Sequence, residues 1–158
     1  GFLIGAGSHV FTYYDLVKEA SFIKVMFPNE DDIPATLLYK DPIHNLAVLQ
    51  LNNRPKVKHK QLTYSKNSYA LRSENVYTIG YPWANTMEDK HVLIKGSTSL
   101  SRKSDLIPIT MALNVVNSGS PLFNSNNELV GMVLFEKHAV DYYELERSKI
   151  YDYAIPVP

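Results

Sequence analysis

An all-β fold, either a barrel or a sandwich, is the class that this sequence predicts. The first indication is a series of about eleven short apolar, β-branched or aromatic runs of strand length. The second is the set of turn formers between them, such as GAGS, PNEDD and NNRP. The third is the scarcity of helical patterns, since only YDLVKEA (14–20) and VDYYELERSK (140–149) have helical character. Short strands with frequent turns are typical of barrels and sandwiches.

The predicted strands fall into two series. The first is FLIG, HVFT, SFIKVMF, ATLLY and LAVLQL, and the second is VYTIGYP, HVLIKG, LIPITMAL, SPLF, ELVGMVLF and YAIPV. A polar, weakly patterned stretch at 63–75 separates them. We therefore predict an N-terminal half at 1–65, a linker at 66–75 and a C-terminal half at 76–158. The sequence NSNNE at 124–128 lies between two apolar runs and predicts a hairpin turn.

Composition excludes several classes of protein. The 158 residues include sixteen basic and sixteen acidic side chains, and this balance argues against a nucleic-acid binder driven by bulk charge. There is no cysteine, so disulfides and thiolate chemistry are excluded. No apolar run approaches the ~20 residues that a membrane helix needs. We expect no nucleic-acid partner, no membrane span in this segment and no cofactor.

One turn has the residue types of an acyl-transfer site. NSGSPLF, 117–123, is a tight Asn-Ser-Gly turn that leads into a strand. Such a turn can present a serine hydroxyl beside backbone N–H groups, which are the nucleophile and the oxyanion hole of acyl transfer. The same pattern is also common in ordinary surface turns, so its significance depends on the segments around it.

Five segments resemble, in the same order, those of trypsin-like serine protease domains of the HtrA/Deg type. They are GFLIGAGSHVFT, DPIHNLAVLQL, ENVYTIGYP, ALNVVNSGSPLFNSNNELVGM and YAIPVP. Together they cover nearly the whole chain. The resemblance implies a chymotrypsin/trypsin-like fold of two perpendicular six-stranded β-barrels with an active site in the cleft between them.

The resemblance assigns the triad positions residue by residue. The nucleophile position is Ser118. The family's T-x-x-H motif aligns with TYYD, residues 12–15, so the base position holds Asp15. The orienting acid stands just before L-A-V-L, where this chain has Asn45. The oxyanion-hole segment corresponds to Val116, Asn117 and Ser118, with the family's glycine replaced by Val116.

These replacements predict a site without catalytic power. An aspartate reaches roughly 2 Å less far than a histidine, while a general base must lie ~2.6–3.2 Å from the hydroxyl. An ordinary aspartate pKa of ~3.9 also makes it a poor acceptor near neutral pH. Loss of such a base costs on the order of 10⁶ in turnover. Because Val116 is β-branched where the family has glycine, we expect its peptide to turn away from the oxyanion position.

The sequence therefore favours a pseudoprotease that serves as a binding, scaffolding or regulatory domain. In the family, substrate peptides add as a β-strand through main-chain hydrogen bonds, which need no triad. The resemblance implies as partners a protein or extended peptide, an active HtrA-type homologue, or further copies of this chain. It favours a bacterial envelope or periplasmic location.

Two alternatives remain open from the residues. One is a weak serine hydrolase that uses Ser118 with an unconventional base. The other is a metal-binding module in the old cleft, in which His44 and a carboxylate such as Asp41 or Asp15 hold a divalent ion. The second is suggested by a resemblance to degenerate HtrA-like domains of magnetosome biogenesis, the MamO-like proteins. No H-x-x-H or H-E-x-x-H pair is present in the sequence.

Overall fold

The computed structural model describes residues 1–28, 31–56, 58–66, 73–81, 91–99, 106–135 and 152–156. In these ranges the chain is all-β, as the sequence predicts, with eleven strands and short 3-10 turns. It divides into two compact units, unit 1 at Gly1–Leu62 and unit 2 at Thr63–Pro158. Residues 67–72 of the predicted linker lie outside the described residues. Within the described ranges, no helix has the length and apolarity to cross a membrane.

Unit 1 is a five-stranded antiparallel sheet. Its strands are β1 (Phe2–Ile4), β2 (His9–Tyr13), β3 (Ile23–Val25), β4 (Ile33–Asp41) and β5 (Leu46–Leu51). They are ordered β1-β2-β5-β4-β3, with β1 and β3 at the edges. Alternation along β2 and β5 places Val10, Ala47, Leu49 and Leu51 in one buried cluster. Five strands are therefore described where the resemblance implies six.

Unit 2 is a closed six-stranded barrel. Its strands are β6 (Asn75–Gly80), β7 (Val92–Thr98), β8 (Ile107–Thr110), β9 (Pro121–Asn124), β10 (Leu129–Leu134) and β11 (Asp152–Pro156). Their order around the barrel is β10-β11-β8-β7-β6-β9. The interior contains fully buried Ile109, Leu122, Val130 and Val133. A closed all-β barrel with a second antiparallel sheet is consistent with the trypsin-like fold.

The turn between β9 and β10 forms as the sequence predicts. The two strands pair antiparallel. The Asn124 side chain accepts hydrogen bonds from the backbone N–H groups of Asn126 and Glu128, both at 3.0 Å. Asn127 has φ 62°, a left-handed conformation that asparagine tolerates better than most residues. The residue types of NSNNE therefore determine this turn locally.

The predicted helix at 14–20 is wrong. Only a 3-10 turn at Tyr14–Leu16 forms. Seven residues are too few for a helix to be stable by itself. The turn begins beside Asn45, whose carbonyl accepts the Tyr14 N–H at 3.0 Å and whose Oδ1 accepts the Asp15 N–H at 2.9 Å. The second predicted helix, 140–149, lies outside the described residues.

Candidate functional site

Asp15 and Asn45, which the sequence analysis predicts at the base and acid positions, lie together in unit 1. Asp15 follows β2 and Asn45 precedes β5, and these neighbouring strands pair up to Tyr13 and Leu46. The Asn45 amide contacts Asp15 twice, because its Oδ1 accepts the Asp15 N–H at 2.9 Å and its Nδ2 lies 3.3 Å from Asp15 Oδ2. One amide thus serves as acceptor for the backbone and donor to the carboxylate.

The backbone at Asn45 is held in an uncommon conformation. Its φ is 55°, in the left-handed region where asparagine and aspartate are enriched. The residue is fully buried, and its carbonyl accepts the Tyr14 N–H at 3.0 Å. An aspartate would fit this backbone equally well, but its carboxylate would face the carboxylate of Asp15. Two carboxylates at hydrogen-bond distance cannot both stay ionised without cost.

A lysine completes this group of polar side chains. Lys18 Nζ lies 2.8 Å from Asp15 Oδ1, three residues along the chain. The sequence reasoning did not identify Lys18, although an acid and a base at this spacing are a recognised local signal. The Asp15 carboxylate is thus bound on one oxygen by an ammonium and approached on the other by an amide.

The negative charge of Asp15 also acts on its neighbour Tyr13. Burial, and then the nearby Asp15 carboxylate, raise the pKa of the Tyr13 phenol above its usual value. Both causes disfavour a phenolate. The Tyr13 phenol therefore stays protonated near neutral pH.

Ser118 lies in unit 2, in the turn that precedes β9. It is 5% exposed. Its Oγ accepts a hydrogen bond from the backbone N–H of Phe135, just after β10, at 2.9 Å. The turn is fastened to β10 as well, because the Gly119 N–H donates to the Val133 carbonyl and the Val133 N–H donates to the Ser120 carbonyl, both at 2.9 Å. The serine hydroxyl thus takes part in joining the turn to the barrel.

The oxyanion-hole segment forms a 3-10 turn, Val115–Asn117. The Val116 N–H donates to Asn114 Oδ1 at 3.2 Å, and the Asn114 N–H donates to Asn117 Oδ1 at 2.9 Å. The Asn117 N–H donates to the Asn114 carbonyl at 3.0 Å. The side-chain oxygens of Asn114 and Asn117 therefore accept hydrogen bonds from backbone N–H groups of the same turn. The sequence reasoning missed Asn114, although asparagine commonly bonds to the backbone two residues on.

His44, the candidate metal ligand, pairs with Asp41. Its Nδ1 lies 2.6 Å from Asp41 Oδ2. The backbone N–H groups of Ile43 and His44 donate to Asp41 Oδ1, both at 3.0 Å. The His44 bond is the main cause of a lowered Asp41 pKa, although burial acts in the opposite direction. In the parts of the chain that the structure describes, no group of three histidine or carboxylate side chains is placed to hold a metal ion.

Thr12, the first residue of the T-x-x-H segment, is 2% exposed. Its hydroxyl has no hydrogen-bond partner among the described residues. It packs on β2 opposite Ala47 of β5. The alternation along β2 places Thr12 on the same face as buried Val10.

Comparison with known families supports the architecture. A family model described as a trypsin-like peptidase domain matches residues 1–132. The chain belongs to this family. Its relatives include proteases of the DegP/HtrA type, which indicates a trypsin-like domain of that type.

The relatives of this trypsin-like domain are much longer than the domain itself. A probable periplasmic serine endoprotease, DegP-like, of Pseudomonas putida is 31% identical over 84% of this chain and 28% of its own length. The chloroplastic protease Do-like 1 of Arabidopsis thaliana is 27% identical over 84% of the chain and 31% of its own length. An uncharacterised protein of Sinorhizobium fredii is 27% identical over 84% of the chain and 21% of its own length. The chain thus spans less than a third of each relative.

Proposed function

We propose that this trypsin-like domain is a pseudoprotease that binds extended polypeptide and does not cleave it. The observation that carries the proposal is the occupant of the base position. There the chain has Asp15, whose carboxylate is engaged by Lys18 at 2.8 Å and by Asn45 at 3.3 Å. A carboxylate neutralised in this way is a weaker proton acceptor than a free one. General-base activation of a serine needs an acceptor within hydrogen-bond reach and with a pKa near the working pH.

The chemical compatibility of Asp15 with Asn45 supports the proposed loss of the triad. An imidazole at 15 would need an acceptor at 45 to hold its tautomer, and an amide serves poorly in that role. Conversely, an aspartate at 45 would repel the carboxylate at 15. Asn45 is the neutral residue that accepts the Asp15 N–H and donates to its side chain. The two replacements therefore suit one another.

The Val116 peptide supports the same function. An oxyanion hole needs backbone donors aimed at the reacting oxygen. The Val116 N–H donates instead to Asn114 Oδ1 at 3.2 Å. A substrate carbonyl would have to compete with this internal bond. Ser118 can be retained without catalysis, because its hydroxyl accepts the Phe135 N–H and so has a structural use.

Binding of an extended peptide is the role that survives these losses. Main-chain hydrogen bonds to a strand edge give affinity without any nucleophile. The proposed ligand is an extended segment of a protein, whether a client, an active homologue of the DegP type or a further copy of the chain. Since relatives carry "periplasmic" in their names, the proposal includes the bacterial envelope as the place of action.

A fluorophosphonate probe tests the inactive site directly. The purified protein, its Ser118→Ala variant and an active DegP-like protease are treated with the same probe. We expect the protein and the alanine variant to show equal, background labelling, because no base activates the hydroxyl. Labelling that disappears only in Ser118→Ala would show an activated serine and overturn the proposal.

Peptide binding is tested separately. A library of fluorescently labelled extended peptides is titrated against the protein, with proline-substituted copies as controls, since proline cannot donate to a strand. We expect saturable binding that the proline copies lose, while the peptides stay intact by mass spectrometry. Binding indifferent to proline would contradict strand addition.

A further inference from the structure

The second half of β4 has a strand neighbour on one side only. β4 pairs with β5 from Ala35 to Asp41. It pairs with β3 only at Ile33–Ala35, because β3 begins at Ile23, opposite Ala35. In the ranges that the structure describes, the segment Thr36–Asp41 therefore has no strand on the side away from β5. This segment is called the β4 edge below.

The β4 edge exposes large apolar side chains. Leu38 and Tyr39 are 59% and 58% exposed, and Leu37 beside them is exposed as well. Phe22, directly before β3, and Ile43, in the turn that follows β4, are also exposed. Apolar side chains beside main-chain groups that no described strand bonds are the features of an edge that accepts another strand.

The charged side chains next to this edge have partners of their own. Lys40 Nζ lies over the Tyr14 ring, 5.9 Å from its centroid. The Asp41 carboxylate is 2.6 Å from His44 Nδ1. The residues Thr36–Tyr39 carry no charge. Natural edges are commonly protected from strand addition by exposed charges, above all by lysine, and this stretch has none.

A row of apolar side chains crosses the sheet of unit 1 and ends at the β4 edge. It contains one residue from each of four strands, in the paired order Phe2, Phe11, Val48 and Tyr39. Directly paired residues have their side chains on the same face of a sheet, so the row lies on one face. The rings of Phe2 and Phe11 are 5.6 Å apart. The first three side chains are half-buried and Tyr39 is exposed, so a strand added beside β4 would continue the row.

The bulge and the length of the β4 edge decide which kind of strand fits. The register shifts between Leu37 and Tyr39, which makes a bulge at Leu38. If two copies of the chain paired symmetrically through this edge, two bulged strands would face one another and pair poorly. The segment Thr36–Asp41 is also much shorter than the roughly 20–30 residues a side that stable protein interfaces contain. A short flexible segment of another protein can adjust its backbone to the bulge and needs no large interface.

We propose that the β4 edge binds an extended segment of another protein as an added strand, with apolar or aromatic side chains on the face of Tyr39. The main chain of the ligand bonds to the outward main-chain groups of Thr36–Asp41, and its alternate side chains extend the apolar row. This inference rests on the proposed function, which it refines by naming the binding edge and the chemistry of the ligand.

Peptide titration against a β4 variant tests the site. The probe is a fluorescein-labelled peptide of about eight residues in which threonine alternates with valine and tyrosine. It is titrated against the unchanged chain, Tyr39→Lys and the matched control Tyr64→Lys. Tyr64 is an exposed tyrosine of unit 2, so it controls for the lost ring and the added charge. We expect Tyr39→Lys to weaken binding by about tenfold or more and Tyr64→Lys to leave it unchanged.

The outcomes separate this inference from the proposed function. Saturable binding that Tyr39→Lys leaves unchanged would overturn the inference, while the proposed peptide binding would stand. A lack of saturable binding to the unchanged chain would contradict both. A second peptide, with serine in place of valine and tyrosine, keeps the main chain and should bind about tenfold more weakly. Equal binding of the two peptides would contradict recognition of apolar side chains.

Amide exchange locates the added strand. A saturating concentration of the probe peptide should slow exchange within Thr36–Asp41 by about tenfold or more, because outward amides gain a main-chain partner. Exchange in β2 should stay unchanged, and it also shows that the Tyr39→Lys variant is folded. Slowing confined to strands other than β4 would overturn the inference.

N-methylated peptides test whether the ligand binds as a strand. Only alternate N–H groups of an added strand face its neighbour. One probe peptide is therefore N-methylated at the odd positions and another at the even positions. We expect one of the two to lose binding and the other to keep it. Equal binding by both, or loss of binding by both, would contradict strand addition.

Discussion

In the part of the chain that the structure describes, unit 2 is a closed barrel and unit 1 a five-stranded sheet, and the burial of their cores differs. In unit 2, Ile109, Leu122 and Val130 are completely buried. In unit 1, Ile33 and Ala35 keep 7% and 8% of their surface exposed, and the side chains at the sheet edges keep more. Both units obey the same strand order where both have strands. Completely buried apolar side chains are therefore concentrated in the closed barrel, although Ala47 of unit 1 is also fully buried and Ile107 of unit 2 is 7% exposed.

The residues at the predicted triad positions are divided between the two units. In unit 1, Asp15 is bound by Lys18 and Asn45, both of unit 1. In unit 2, Ser118 Oγ accepts the N–H of Phe135, also of unit 2. These bonds lie within unit 1 and within unit 2, respectively. Four experiments can break or sharpen this comparison.

The largest effect is expected from repair of the site in both units. We predict that Asp15→His with Asn45→Asp and Val116→Gly raises fluorophosphonate labelling of Ser118 by at least ~10³-fold, since base loss alone costs on the order of 10⁶. Repair of unit 1 alone, by the first two changes, should give much less, because the Val116 N–H still donates to Asn114. Labelling rates measured on both variants test this.

The control for that experiment is Asp15→His with Asn45 retained. An amide at the acid position favours the wrong imidazole tautomer, which costs about 10⁴ in a comparable triad. We therefore expect no measurable labelling from this single change. Strong labelling by Asp15→His alone would show that only the base was missing.

The second effect compares the two cores by substitution of leucine with alanine. Leu122→Ala in unit 2 should lower the free energy of unfolding by about 3–5 kcal/mol, because the side chain is fully buried. Leu3→Ala in unit 1 should lower it by only about 1 kcal/mol, since Leu3 is partly buried beside an open edge. Urea unfolding measures both. Equal losses would contradict the picture of an open unit 1.

The third effect concerns the structural use of the serine. Ser118→Ala removes the acceptor of the Phe135 N–H and should cost about 1–2 kcal/mol in unfolding free energy. It should also speed amide exchange at Phe135. Ser120→Ala, a second buried serine of the same turn, controls for the loss of a hydroxyl in general. A stable Ser118→Ala protein with unchanged exchange at Phe135 would refute this structural use.

The smallest effect is a pH dependence in unit 1. The His44 hydrogen bond lowers the folded pKa of Asp41 below its unfolded value of ~3.9. A lowered carboxyl pKa gives stability that is present above the unfolded pKa and lost as pH falls through the folded pKa. We predict that the free energy of unfolding falls less between pH 6 and pH 3 in Asp41→Asn than in the unchanged protein, with a difference under ~1 kcal/mol, as for other partly exposed pairs. His44→Gln should change the pH dependence in the same direction. Chemical unfolding at pH 3 and pH 6 measures both variants.

Much of the fold was predictable because its signals are local. The runs HVFT, LAVLQL and VYTIGYP became β2, β5 and β6 with ends close to those predicted. NSNNE became a hairpin turn through the side chain of Asn124. The predicted helix at 14–20 is reduced to a 3-10 turn at Tyr14–Leu16, because seven residues are too few for a helix to be stable by itself.

The contacts within the candidate site could not be predicted from the sequence. The pairing of Asp15 with Asn45 follows from the register of β2 and β5, which no short motif encodes. Lys18 had a local signal, the i, i+3 spacing from Asp15, that the sequence reasoning did not use. The bond from Phe135 to Ser118 joins residues seventeen apart and depends on how β10 ends.

The amino-acid sequence by itself determined the all-β class and the approximate bounds of strands such as β2, β5 and β6. These properties depend on residue type and on alternation between neighbours along the chain. Only the tertiary structure decided that the Asn45 amide contacts Asp15, that Asn114 Oδ1 accepts the Val116 N–H and that the described strands of unit 1 form a sheet with β1 and β3 at its edges. Such facts depend on which distant backbone groups come within 3 Å of one another, and strand pairing sets those distances.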